Sequence, residues 1–268
     1  MVEAKANKVY KIFYCITIVV LMDFLAWHKY NKECRYPNEY ELTPYLSDKS
    51  NAPVVVVCPG GGYRMIASFI EGHPVARYFQ EHGYNAFVLR YRVREKAHFP
   101  APLMDIAHAL SDIQTEYKLS LDNYALCGFS AGGHMCALFG VKEFGYGHFN
   151  LPKPQLLMLV YPVISLEKEF THRTTRKWFA GEDDPEALEV GNIHHHIDKD
   201  YPTTFIWRGD KDRSVQPVNS DFIVKELEKN NIKHLYIKYP KVGHGVGLAK
   251  NTTAEGWADK AIEFWNTL

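Results

Sequence analysis

The chain has 268 residues, and its 31 lysines and arginines balance 31 aspartates and glutamates, so it carries no formal net charge with histidine neutral. That balance excludes nucleic-acid binding through a bulk basic surface, which needs a cationic excess on the binding domain. With 46% hydrophobic and 23% charged residues the sequence can build a core behind an ordinary soluble surface, which excludes global disorder, and the length fits one α/β domain.

The first forty residues differ from the rest. After Lys5, Lys8 and Lys11 comes an apolar run from Ile12 to Met22, then Asp23, then Phe24 to Trp27. A signal peptide would add a small-x-small cleavage site, which is missing around Leu25, Ala26 and Trp27. A spanning helix needs about twenty apolar residues, and Asp23 interrupts this run. Residues 1–39 are therefore read as an N-terminal extension: edge β segments, or a membrane anchor over 9–27. The expected localisation is cytoplasmic, with anchoring through this segment as the alternative.

From Tyr40 onward, short β-branched runs alternate with helical patterns. Pro53 to Cys58 is an apolar strand that ends in glycines. Val75, Tyr78 and Phe79 recur at helical spacing within Pro74 to His82, Gly83 ends that helix, and Asn85 to Tyr91 is the next strand. A helix over Pro102 to Tyr117 puts Leu103, Ile106, Leu110 and Ile113 on one face. Strand Tyr124 to Cys127, a helix from Ala131, and strands Leu156 to Tyr161 and Thr203 to Trp207 follow. Helix Val218 to Lys229, strand His234 to Tyr239 and a closing helix with Trp257, Ala261, Ile262 and Trp265 complete the chain. Such strands, apolar on both faces and alternating with helices, predict a mostly parallel sheet with helices on both sides. From Tyr161 to Pro202 the alternation breaks down, and that stretch, with acidic Glu182, Asp183 and Asp184, reads as a small cap insertion at about 165–200.

The five cysteines (Cys15, Cys34, Cys58, Cys127, Cys136) are odd in number and lack CxxC spacing, which reads as buried free thiols in a reducing compartment. The run His194, His195, His196 reads as a solvated loop, because adjacent side chains diverge and rarely share a metal. No metal and no organic cofactor is expected.

The sharpest motif is Gly128-Phe129-Ser130-Ala131-Gly132, a G-x-S-x-G with a strand running in and a helix running out. On such a turn a serine is held in a tight backbone conformation, needs small neighbours, and projects its hydroxyl above the sheet. A nucleophilic serine needs donors for the charge that forms on a carbonyl oxygen. Pro59-Gly60-Gly61-Gly62-Tyr63 follows the first buried strand, so Gly61, Gly62 and the N–H of Ala131 are the expected oxyanion hole. The glycine run is no phosphate-binding P-loop, since no G-K-[ST] follows.

Serine also needs a base, and the base an acid to orient it. Gly243-His244-Gly245 and Gly209-Asp210-Lys211-Asp212-Arg213 both follow predicted strands, at the carboxyl ends where open α/β sheets place their sites. His244 is the expected base; His134, four residues past the serine, is its rival. Of the two acids Asp212 is preferred, since D-x-x-V into Pro217 leads the loop back into the fold, and Asp210 is expected to tighten the turn.

With these residues in place the chain resembles a known family. PGGGY, LRYRV (Leu89 to Val93), PAPLMDI (Pro100 to Ile106), GFSAGGH (Gly128 to His134), YPVI (Tyr161 to Ile164), the TTFIW…DKDRSVQPVNS segment and GHGVGLA (Gly243 to Ala249) are similar to the acetyl-xylan-esterase-like and feruloyl-esterase-like branch of the α/β hydrolases, often labelled esterase/lipase or sugar hydrolase. The resemblance runs from about Tyr40 to the C-terminus. It implies the α/β-hydrolase fold over 40–268, puts the family's acid on Asp212, and implies small acyl esters, especially acetylated sugars, as substrates. There are two departures: the first forty residues, and Arg208-Gly209-Asp210 where relatives often carry a histidine and threonine.

The expected chemistry is two-step acyl transfer through Ser130, His244 and Asp212, with Tyr63 lining the acyl pocket and Trp178 and Phe179 limiting chain length. The expected partner is a small-molecule ester, with no nucleic acid, and with membrane contact only through the N-terminal segment. The alternatives are a serine peptidase of the same fold, and a non-catalytic binding protein on a hydrolase scaffold. Reaction of Ser130 with a fluorophosphonate probe separates the binder from the enzymes.

Overall fold

The VVVV run of strand β2 (Val54–Cys58) is wholly buried and lies inside a seven-stranded sheet. Burying each such valine is worth about 1.5–3 kcal/mol. The computed structural model describes residues 39–181 and 184–268. The N-terminal apolar run, Cys15 and Cys34, and Glu182 and Asp183 lie outside the described residues.

The other strands are β1 (Glu41–Tyr45), β3 (Asn85–Arg90), β4 (Tyr124–Phe129), β5 (Leu156–Val160), β6 (Thr204–Gly209) and β7 (His234–Tyr239), in the order β1-β3-β2-β4-β5-β6-β7. All neighbours are parallel except β1, which runs antiparallel along β3. β1 has no counterpart in the sequence reading. It carries Pro44 and is half-exposed, as an edge strand permits, and Glu41 pairs with Arg90 at 2.5 Å across the register.

Side chains alternate between two cores, as the strand pleat requires. Val54, Val56, Leu126, Leu157 and Ile206 face one side. There they meet helices α2 (Ala101–Thr115), α3 (Ala131–Phe139) and α6 (Val218–Lys229), through Leu103, Ile106, Met135, Ile223 and Leu227. Val55, Val57, Cys127, Met158 and Phe205 face the other side. Their partners are α1 (His73–Glu81) and α7 (Trp257–Trp265), through Val75, Phe79, Trp257 and Ala261. Cys58, Cys127 and Cys136 are buried and unbridged. Among the described residues, no helix is long and apolar enough to cross a membrane.

Helix α3 approaches β2 closely because Gly132 has no side chain. A Cβ there would lie 2.1 Å from the Cys58 carbonyl oxygen, which is backbone and has nowhere to go. Gly132→Ala is therefore expected to cost about 3 kcal/mol or more, read as a lower midpoint in thermal or urea unfolding.

Between β5 and β6 lie α4 (Arg173–Ala180), the short α5 (Pro185–Val190) and a 3-10 turn at Ile193–His195. Two buried asparagines, Asn219 on α6 and Asn192 within the stretch, hold its first residues after β5. Asn219 Oδ1 accepts from the Ile164 and Ser165 amides, and Asn192 Oδ1 from the Leu166 amide and the Ser165 hydroxyl. Asp184 caps α5 by accepting from the Glu186 and Ala187 amides.

Candidate active site

β2 and β4 are hydrogen-bonded neighbours with Cys58 opposite Gly128, so the glycine loop and the serine turn leave the sheet side by side at its carboxyl edge. The chain turns there to opposite sides of the sheet, since β3 lies beyond β2 on one side and β4 on the other. Such a reversal leaves a crevice at the strand ends.

Ser130 has φ 53 and ψ −116, a backbone that L residues rarely adopt. Three backbone hydrogen bonds hold it. Its N–H donates to the Val160 carbonyl at 3.0 Å, and its carbonyl accepts from the His134 and Val163 amides at 3.0 and 3.2 Å. Its hydroxyl lies 2.8 Å from His244 Nε2, and His244 Nδ1 lies 2.6 Å from Asp212 Oδ2. The carboxylate can only accept, so Nδ1 carries the hydrogen and Nε2 keeps its lone pair for the Ser130 O–H. Asp212 Oδ1 accepts from the Ser214 and Val215 amides, both at 2.9 Å, which is why D-x-x-V spacing holds the acid still.

Asp210 is exposed and turned elsewhere: it accepts from the Lys241 amide at 2.5 Å and closes the turn between the ends of β6 and β7. The rival His134 is fully buried. Its Nε2 donates to the Gly191 carbonyl at 3.1 Å, so its Nδ1 accepts from the Tyr63 hydroxyl at 3.0 Å. Burial pushes its pKa down to about 4, despite the Gly191 hydrogen bond, and it stays a neutral structural group.

The glycine loop lies against the serine. A Cβ on Gly60 would stand 2.9 Å from Ser130 Cβ, and Gly61 and Gly62 have φ 129 and 66, a backbone that favours glycine. Among the described residues no hydrogen-bond acceptor takes the Gly61 or Gly62 N–H. Ala131 opens α3, where the first amides have no partner within the helix.

Two residues to which the sequence assigned no role at the site, Glu71 and Tyr161, brace this arrangement. Buried Glu71 accepts from the Gly60 amide at 2.7 Å and the Tyr161 hydroxyl at 2.8 Å, and Tyr161 in turn accepts from the Gly247 amide at 3.1 Å. Burial raises the Glu71 pKa, opposed by these hydrogen bonds and by His244. The Tyr161 ring packs 4.7 Å from the His244 ring. One carboxylate thus joins the glycine loop to the His244 loop. No local pattern marks it, because a buried Glu is defined only by what surrounds it.

Tyr63 and Phe179, expected to line a pocket, are fully buried. Their rings pack on each other and on His134, at 5.7, 5.9 and 4.7 Å, so they stand behind the site as its support. Trp178 is half-buried, with Lys177 Nζ 5.2 Å from its ring centre. The side chain facing the glycine loop is His172: its Cε1 would be 3.0 Å from a Cβ on Gly62, with Thr174 at 3.2 Å. Burial and the nearby His244 lower its pKa, with Asp212 opposing.

Comparison with known proteins agrees with this architecture. The BD-FAE family model matches residues 43–227. Endo-1,4-beta-xylanase B of Butyrivibrio fibrisolvens is 30% identical over 246 residues, covering 86% of this chain and 38% of that protein. Acetylxylan esterase of Xylanibacter ruminicola is 24% identical over 217 residues, covering 78% of this chain and 44% of that protein. The chain thus spans less than half the length of these curated relatives. Among solved structures, the acetyl ester-xyloside bifunctional hydrolase from Caldicellulosiruptor lactoaceticus superposes with a TM-score of 0.78 at 31% identity, over 86% of this chain and 89% of that one.

Proposed function

Because the chain belongs to the BD-FAE family and has the α/β-hydrolase fold, we propose that it is a serine carboxylic-ester hydrolase acting on small acyl esters, acetyl esters of xylo-oligosaccharides above all. The observation that carries this reading is the unbroken hydrogen-bond chain from Ser130 through His244 to Asp212, beside the Gly61 and Gly62 amides, which no acceptor takes among the described residues. The names of an acetylxylan esterase and an acetyl ester-xyloside hydrolase among its relatives support the substrate class.

In the first step Ser130 Oγ attacks the ester carbonyl while its proton passes to His244 Nε2. Asp212 holds the imidazole and stabilises the cation that forms. The negative oxygen of the tetrahedral intermediate lies among the amides of Gly61, Gly62 and Ala131, each such donor being worth on the order of a hundredfold in rate. The imidazolium then gives its proton to the leaving sugar oxygen as the C–O bond breaks, the sugar departs with a free hydroxyl, and an acyl-serine remains. In the second step His244 takes a proton from water, the hydroxide attacks the acyl-serine, and the acid leaves as Ser130 is reprotonated. Residues 40–268 form the catalytic domain on this reading, the 165–200 stretch is its cap, and 1–39 is an extension. His172 and Trp178 border the entrance and meet the acyl or sugar portion.

The test is an acyl-length series of p-nitrophenyl esters together with acetylated xylo-oligosaccharides. The expected result is highest kcat/KM on acetate, falling roughly tenfold or more for each methylene that the pocket cannot hold, with acetate released from the sugars. A clear preference for acyl chains longer than about eight carbons would make the protein a lipase instead.

A further inference from the structure

The run His194, His195, His196 takes no part in the ester chemistry; where a solvated loop is expected, the structure has a 3-10 turn with His195 exposed and His194 and His196 half-buried. The 3-10 turn at Ile193–His195 sets adjacent side chains about 120° apart, so the approach of two neighbouring rings comes from their rotamers and not from the turn itself. The His194 and His195 ring centres lie 4.3 Å apart. Both rings present Nε2 to one oxygen: Glu167 Oε1 is 3.9 Å from His194 Nε2 and 3.7 Å from His195 Nε2. One ligand atom from each of the three residues lies within 4.8 Å of the others. His196 is used elsewhere, donating from Nε2 to the Glu189 carbonyl at 2.9 Å.

The tautomers make the convergence informative. His195 Nδ1 lies 3.1 Å from Glu189 Oε1, which can only accept, so Nδ1 carries the hydrogen and the lone pair is at Nε2. The His194 ring is stacked on Phe222, and its Nδ1 is buried with no hydrogen-bond partner. Its Nε2 is the nitrogen turned toward Glu167 and open to a ligand. Two imidazole nitrogens and a carboxylate oxygen therefore meet, the His195 nitrogen with its lone pair toward the others. The N to O separations exceed by only a few tenths of an ångström the roughly 3.3 Å between ligands around tetrahedral zinc with bonds near 2.0–2.1 Å. A carboxylate on the far nitrogen of a histidine, as Glu189 is on His195, is the usual outer support of a metal-bound imidazole.

We propose that Glu167, His194 and His195 form a site for a divalent borderline-soft cation, zinc fitting best, with water completing the coordination and Glu189 orienting His195. Imidazole and carboxylate ligands together suit zinc over magnesium or calcium, which favour oxygen alone. Glu167 follows β5 and the histidines precede β6, so the cation clips together the two ends of the connection that carries α4 and α5. The role is structural and independent of Ser130.

The test uses the full chain, stripped with a chelator and titrated with zinc chloride by calorimetry, alongside thermal unfolding with and without zinc. Other histidines and cysteines can take zinc, so the reading is the difference between variants. Wild type is expected to show a binding event that Glu167→Gln and His195→Asn each lose, that Glu189→Gln weakens about 10–100-fold, and that His196→Asn keeps. Zinc should raise the midpoint of the wild type and leave those of Glu167→Gln and His195→Asn unmoved, because only a folded-state ligand stabilises by mass action. Glu167 and His195 side chains are 43% and 39% exposed, so these metal-free variants should unfold with the wild-type midpoint. Zinc binding of unchanged affinity in both variants, its loss in His244→Ala instead, or no binding by wild type overturns the proposal.

Discussion

Ser130→Ala is expected to lower turnover of p-nitrophenyl acetate by roughly 10⁴–10⁶-fold, the scale on which triad knockouts act. The variant should remain folded, which makes the loss interpretable. The unusual φ of 53 is held by backbone hydrogen bonds to Val160, His134 and Val163 that alanine keeps, and only Oγ is removed. The remaining rate comes from the oxyanion donors and substrate positioning, which do not need the serine. Labelling by a fluorophosphonate should disappear with the same substitution. Near-normal turnover or persistent labelling in a variant with the wild-type unfolding midpoint would place the nucleophile elsewhere.

The second large effect separates two aspartates in one loop. Asp212→Asn should cost about 10⁴-fold in kcat, because the amide reverses the polarity of the contact with His244. Its Oδ1 can still accept from the Ser214 and Val215 amides, so the loop survives. The other position becomes an NH₂ donor 2.6 Å from His244 Nδ1, which must then accept, and the ring hydrogen moves to Nε2. A hydrogen there faces Ser130 Oγ, and the imidazole cannot take the serine proton. Asp210→Asn should stay within about twofold of wild type, since an amide oxygen still accepts from Lys241 and the site is on the surface. Parallel kcat/KM measurements on the two variants decide the matter, and a larger loss for Asp210→Asn reverses the assignment.

The element order was legible because its signals are local. Helix Val218–Lys229 and strand His234–Tyr239 stand where periodicity put them, bounded by Pro217 and by turn residues. The strand before Ser130 runs on to Phe129 and that before Asp210 to Gly209, beyond their apolar cores, because parallel pairing with neighbours carries the hydrogen bonds past the apolar residues. Strand β1 was missed for the opposite reason: ELTPY has no alternation, and only the free edge of β3 makes a strand of it. The 165–200 stretch was illegible because it is held by two buried asparagines, which leave no periodic trace.

Apolar period, glycine and proline act over a few residues, so the strand and helix order and the loops in which Ser130, Asp212, His244 and the glycine run stand can be read along the chain. Only the tertiary structure decided which partners each polar atom meets. It turned Asp210 to a backbone amide, sealed His134 against Tyr63 and Gly191, moved Tyr63 and Phe179 behind the site, and brought forward His172. It also joined Glu71 to Gly60 and Tyr161, and turned two adjacent histidines toward Glu167. The physical reason is the same in each case. A polar side chain's role depends on its burial and on donors and acceptors far away in the chain, and no local pattern carries that information.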